Sequence, residues 1–523
     1  MKKIILFTLI VFSFSSVAQN ITTKGTEFWL TYMENLTLNF NGPPSFSIII
    51  SSDVNTSGTV AIPATGFTIP FSVTANQATE VLLPANIYYP EGDEDYFDFG
   101  IKITSAAPVN VYTYHFRAFF TDATVVLPLT ELSDQYLIMA HTDFSVNSPS
   151  EFVVEATQDS TVIEIIPSVV TVSFRPPGVP FTIVLNEGQV FQLQSYEDLT
   201  GSSVRSLDPQ KKIAVFGGAR QANIYCSGAD NTLYDEIYPE TSAGSNFITV
   251  PFLTFSQQGY DFFRFMATAD STAFTINSAP VFLLHRGEYY DTLLSAAAYI
   301  VSNKPIFATQ FKTSQNCSMG SLGDPSMLNL TPLNLKKKTS IFKSLDGPPP
   351  TSMLNPHHYI NIITATNSTG LLTLDGNPVA GFIPVPAYPA FSYAVSSLIQ
   401  GQHIIESDSG FNAYAYGIGM ANAYTFHLGY DNFLSTGTGE SDKNQIDLLI
   451  ANPVKDKIQI GGILFLKNLK IKMYDIPGHT MFQKNFINVS GTIEIDVSGY
   501  SKGIYVLELI SDNGWAVKKI LKE

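Results

Sequence analysis

Charge is scarce in this sequence. Asp, Glu, Lys and Arg make up 14% of its 523 residues, and the balance is acidic, 45 Asp and Glu against 29 Lys and Arg for a net −16. A nucleic-acid binder needs clustered Lys and Arg, so no nucleic-acid partner is expected. Cysteine is scarcer still: only Cys226 and Cys317 occur, too few for a disulfide scaffold in a long chain. No amphipathic helix pattern stands out before residue 440. Beyond the first residues no segment is apolar for eighteen positions, so no membrane span is expected in the mature chain. His-Glu-x-x-His, Gly-x-Ser-x-Gly, a phosphate-cradling Gly-rich loop and Cys-x-x-Cys are all missing. The chain therefore reads as no enzyme, with no catalytic residue and no cofactor assigned. His357 and His358 are adjacent, so in a strand their rings face opposite ways and cannot share a metal.

What is plentiful points to strands. Aromatics reach 12%, with 35 glycines and 30 prolines, a mixture suited to strands joined by tight turns. At the start, Lys2 and Lys3 precede an apolar run from Ile4 to Phe14, and Ser16-Val17-Ala18 supplies small residues. That is a secretory signal peptide over 1–18, with cleavage expected after Ala18.

The body repeats at intervals of about 100 residues. One opening pattern appears at Gly25-Thr26-Glu27-Phe28, at Ser133-Asp134-Gln135-Tyr136, at Gly244-Ser245-Asn246-Phe247 and at Lys338-Thr339-Ser340-Ile341. Asp-Ser-Thr turns follow at Asp159 and Asp270, with related turns in the other two units. A closing element carries Ser105 with Pro108, Ser206 with Pro209, Ser302 with Pro305, and a degenerate Ser407 segment. Each closer reads as a short loop between two β-runs. The expected fold is all-β: four units over 21–130, 131–240, 241–334 and 335–433, arranged as β-sandwiches or as a propeller-like ring. Cys226 and Cys317 hold matching places in the second and third units. They would staple neighbouring loops by a disulfide, or stand as two buried thiols.

A polar stretch over 434–445 reads as a linker. Beyond it, 446–523 holds short strands that suggest a small Ig-like sandwich, and its ten lysines against eight acids leave it at +2. The matching residues are Asn452-Pro453-Val454, then Tyr474-Asp475-Ile476-Pro477-Gly478, then Lys502-Gly503-Ile504-Tyr505, closed by Lys518-Lys519-Ile520. In order and spacing this tail resembles the type A C-terminal sorting domain of the type IX secretion system. Ala451 stands where that family usually has a proline. The resemblance implies the type IX machinery as partner, and a protein secreted or attached at the outer-membrane surface. The body, over residues 22–430, resembles the N-terminal domain of the IgG Fc-binding protein family. That likeness rests on Gly25-Thr26-Glu27-Phe28, the Asp-Ser-Thr turns, Tyr196-Glu197-Asp198-Leu199-Thr200-Gly201 and the Ser-x-x-Pro closers.

Three features are candidates for chemistry. Glu91, Asp93, Glu94, Asp95 and Asp98 fall within eight residues and can offer hard oxygen ligands to Ca²⁺, or form a solvated acidic loop. Asp122, Asp235 and Asp324 recur a few residues before Pro128, Pro239 and Pro332, as turn formers or a binding rim. Aromatic-rich strands at Val111–Arg117 and Ala413–Tyr416 are sugar-stacking platforms or core. The expected function is non-catalytic binding or adhesion toward a glycan, mucin or matrix partner. The alternatives are a glycosidase-like hydrolase with dispersed carboxylates and a structural envelope spacer.

Overall fold

A computed structural model describes residues 22–36, 42–84, 89–142, 148–226, 229–253, 260–279, 282–317, 322–348, 352–431, 449–450, 453–475, 479–511 and 514–523. The leader expected over 1–18 and the whole linker over 434–445 lie outside them.

The body is all-β, and in three of the four units the closer turns out to be a crossover within a strand. In the first unit the strand Ile101–Arg117 pairs through its first half with Gly25–Leu30 and Thr56–Ile62. Its second half pairs with Ser45–Ser52 and Phe120–Val126. The ladder changes partners between Ser105, opposite Gly58, and Asn110, opposite Ser51. Pro108 sits at that change and is exposed, so its missing N–H costs no buried hydrogen bond. One strand thus serves two sheets packed face to face. Ala298–Lys312 does the same in the third unit and Gly401–Met420 in the fourth. Only the second unit breaks there, into Ser203–Ser206 and Ile213–Ala222 around Asp208 and Pro209. The loop reading of the closer therefore holds in one unit. In the other three, extended backbone on both sides of the Ser-x-x-Pro or Ser-x-x-Gly step keeps the strand continuous.

The four sandwiches close into a ring, because each core is completed by the next unit. Val153, Ala214, Phe216 and Tyr234 of the second unit lie in the core of the first. Met266, Phe311 and Met327 of the third complete the second, and Ile363, Tyr414 and Tyr416 of the fourth complete the third. Ile49, Tyr112, Tyr114 and Phe116 of the first unit then complete the fourth. A tandem string would leave its end units half covered; here every sheet has a partner.

The last strand of each unit lines the axis. These are Phe120–Val126, Asn231–Glu236, Ser326–Leu330 and Asn422–His427. Asp122 accepts backbone N–H groups from all four units: Ala123 at 3.0 Å, Tyr234 at 3.2 Å, Met327 at 3.1 Å and Thr425 at 3.2 Å. Asp235 accepts from Thr124 Oγ1 and from the N–H of Asn329 at 2.6 Å. Burial pushes Asp122 well above its ordinary range against the pull of its N–H donors. Asp122 and Asp235 are therefore neither turn formers nor a rim, but strand residues joining the units at the axis. Asp324 does lie in a loop, buried beside Lys312.

The seam of the ring is clasped by the two ends of the body. Thr22 bridges Asp431, Thr23 N–H donates to Tyr430 O at 2.9 Å, and Lys337 Nζ reaches Thr23 Oγ1 and Asn110 Oδ1, both at 3.0 Å. The tail forms its own small β domain: Lys457–Tyr474 pairs with Thr480–Asp496 and Gly503–Ser511, and Gly514–Lys522 adds the edge. Its core holds Ile458, Ile471, Ile493, Leu507 and Ile520.

Candidate functional site

The acidic segment acts as a strap on the next unit. Its strand Asp95–Phe97 joins the second unit's sheet beside Val190–Ser195. Asp93 accepts the Gln194 N–H at 2.7 Å and the Ser173 N–H at 2.8 Å. Glu94 takes Arg175 through Nε and a terminal nitrogen, each at 2.7 Å, and Asp98 accepts from Gln189 at 2.9 Å. Three of the five carboxylates, Asp93, Glu94 and Asp98, are thus each taken by a different set of protein donors. Among the described residues no group of three or more His, Cys, Asp or Glu is placed to hold a metal ion.

What the strap holds is an exposed aromatic tip. The turn is closed by Phe174 N–H to Thr171 O at 2.9 Å and Thr171 N–H to Arg175 O at 3.2 Å. Arg175 also lies 3.7 Å over the Phe181 ring. At its apex Phe174 is 86% exposed with φ +65°. A bulky residue in the left-handed region is strained and persists only when its surroundings over-determine it. The segment is further tied down by Ser195 Oγ, which donates to Val170 O at 2.7 Å, and the following Tyr196 is 51% exposed. The result is an apolar anchor whose conformation is set before any partner arrives, which lowers the entropy cost of binding.

The other candidates are mostly interior. Tyr112, Tyr114, Phe116, Tyr414 and Tyr416 are fully buried between units. Of the two readings of these strands, stacking platform or core, the core reading holds: alternation put the rings on one face, and a neighbouring unit covers it. The carboxylates Glu151, Glu155, Asp235 and Glu236 are raised by burial and lie inside the ring. His358 is also buried, bonded to Asp346 and to Tyr424.

Sequence reasoning missed Arg264. It is buried, pairs with Asp198 at 2.7 Å and Asp291 at 2.8 Å, and donates to Ala140 O and Thr200 Oγ1. Asp198, Thr200 and Gly201 belong to the Tyr196–Gly201 motif, so that motif is the socket for the next unit's arginine. A Cβ on Gly201 would lie 2.5 Å from Gly287 O, which explains glycine at the contact. Cys226 and Cys317 are joined as a disulfide between the second and third units, Cα atoms 5.4 Å apart.

In the tail, Asn452 and Gly478 lie outside the described residues. Next to Pro453, Val454 zips to the last strand through its N–H to Leu521 O at 2.8 Å. Asp475 closes a turn on His479 N–H at 2.7 Å. Lys502 is exposed, Gly503 opens the strand Gly503–Ser511, and the Tyr505 hydroxyl donates to Ser501 O at 2.8 Å.

Comparison with known proteins matches the IgGFc binding protein family to residues 122–417, from the axial Asp122 to the Gly417 strand of the fourth unit. The chain belongs to the IgGFc binding protein family. The family region is followed by a match to the secretion system C-terminal sorting domain over residues 451–523, which marks the chain for secretion or the cell surface. A human relative, IgGFc-binding protein, is 23% identical over 416 residues, 77% of this chain and 7% of the relative. The chain thus spans only a small part of that protein's length. Among solved structures, a tetra-tandem repeat from the extending region of a large adhesion protein is 10% identical, covering 79% of this chain and 95% of that one, with a TM-score of 0.13. The BSP domain of a biofilm associated protein is 8% identical, covering 79% and 77%, with a TM-score of 0.14. Scores this low carry no argument.

Proposed function

We propose that this chain is a non-catalytic adhesion protein of the cell surface, exported by the type IX machinery, whose ring grips a mucin-like or matrix glycoprotein. The observation that carries the reading is the Phe174 tip, an exposed aromatic held in a strained conformation by carboxylates of another unit. Exposed aromatics preset by their surroundings are what binding hot spots are made of. The sorting tail supports the location, and the family name of the ring supports binding as its task.

The test is binding of the mature chain to immobilised mucin and to a matrix glycoprotein, with immunoglobulin Fc included because the human relative carries that name. Phe174→Ala should weaken the positive interaction by roughly 30-fold, the scale of a hot spot. Glu94→Gln, which frees Arg175 but keeps the ring of Phe174, should give a smaller loss. Equal binding by wild type and Phe174→Ala would reject the tip as the contact. Release of sugar products would favour the hydrolase instead.

A further inference from the structure

The fourth unit carries an open cleft of about 280 Å³ that neither family match assigns, at the small end of ligand sites. It lies where the paired strands Leu354–Ala365 and Tyr388–Leu398 meet, with His358 opposite Leu398 and Tyr359 opposite Ser397. Its lining is apolar at Pro356, Tyr359 and Leu398 and polar at Asp346, His357, Ser397 and Gln400.

The polar lining is built rather than accidental. Asp346 Oδ1 is 2.7 Å from His358 Nε2, and His358 Nδ1 is 2.8 Å from the Tyr424 hydroxyl. Burial lowers the His358 pKa, so the ring is neutral at neutral pH. Its Nε2–H then donates to Asp346 while Nδ1 accepts from Tyr424. Gly417 makes this chain of contacts fit: a Cβ there would lie 3.0 Å from His358 Nδ1 and 2.3 Å from a Tyr424 ring carbon. The rim is fixed too, since His403 Nε2 is 2.7 Å from Ile399 O and its Nδ1 is 2.7 Å from Asp375.

With Oδ1 committed, Asp346 Oδ2 makes no hydrogen bond to the described residues, and neither do the Ser397 hydroxyl and the Gln400 side chain. Those groups are one acceptor, one hydroxyl, and one amide that both donates and accepts. We propose that the cleft binds a neutral sugar ring, with Asp346 and Gln400 taking its hydroxyls and Pro356, Tyr359 and Leu398 covering its apolar face. No Lys or Arg lines the cleft, and its one carboxylate, Asp346, disfavours an anionic ligand. Both His358 nitrogens are occupied, so that ring is no metal ligand. His358 and Tyr424 are positioning residues that aim Asp346. The inference rests on the adhesion reading for its biological sense and on its own geometry for its chemistry, since the cleft shares no residue with the Phe174 tip.

The experiment titrates the full mature chain with methyl glycosides of glucose, galactose, mannose and N-acetylglucosamine, followed by NMR of the Tyr359 and Gln400 signals and by calorimetry. At least one should bind saturably. Asp346→Asn should lower its affinity tenfold or more with Tm unchanged, and Gln400→Ala on the exposed rim should do likewise if the first variant fails to fold. His358→Gln, which keeps a donor toward Asp346, should retain more affinity than His358→Ala at matched Tm. Phe174→Ala should bind the sugar as wild type does, so a failed tip with intact sugar binding sinks only the adhesion contact. The inference is overturned if no glycoside binds, if Asp346→Asn and Gln400→Ala bind as wild type, or if methylammonium binds in place of the sugars.

Discussion

At the scale of single residues, the ring is held by acids taken out of water. Asp235, Asp261 and Glu131 are each pushed up to about 7 by burial. The folded protein keeps their protons up to that pH, while the unfolded chain releases them above about 4. Their contribution is fully present below about pH 4 and is lost as pH rises through about 7. His115 and His427 work the other way: burial lowers both to about 3, so they cost stability as pH falls below about 6.5. Thermal unfolding of wild type should therefore be most resistant at mildly acid pH. Asp235→Asn should flatten the loss between about pH 5 and 7.5, and an unchanged slope would show that Asp235 is ionised in the folded ring. None of this was legible in the sequence. The recurrence of Asp122 and Asp235 was visible, but an aspartate before a proline reads as a turn, and only the neighbouring units convert it into a buried acceptor.

At the scale of elements, local chemistry was legible and partnership was not. Strand period and turn residues are set by near neighbours, so the repeat and its β-runs could be read directly. Whether Ser-x-x-Pro turns the chain or bends a continuing strand depends on the sheets that pair on either side. Val111–Arg117 alternates rings on one face, yet that pattern is silent on whether water or another unit covers them. Arg264 left no local trace because Asp198, 66 residues away, is on another unit. The same holds for Phe174, whose strap residue Asp93 lies 80 positions from Ser173. The Arg264 joint has a measurable consequence. Arg264→Met leaves Asp198 and Asp291 unpaired, which should cost about 3 kcal/mol, the scale of a broken buried ion pair. Equilibrium denaturation checks this, with Lys457→Met on the exposed Lys457–Glu494 pair expected to cost almost nothing.

At the scale of the molecule, the decisive step is closure. Four sandwiches that share cores in a cycle leave no unit with a free inner face, which is why the aromatic content is spent inside and the binding candidates are a strapped tip and a small cleft. The clasp of Thr22 and Thr23 on Tyr430, Asp431 and Lys337 also brings the start of the body next to the point where the sorting tail departs. Small-angle scattering of the mature chain cut after Asp431 tests closure most directly. A compact ring of that length should give a radius of gyration of about 22 Å. A value near or above about 40 Å, as expected for compact units strung end to end, would contradict it.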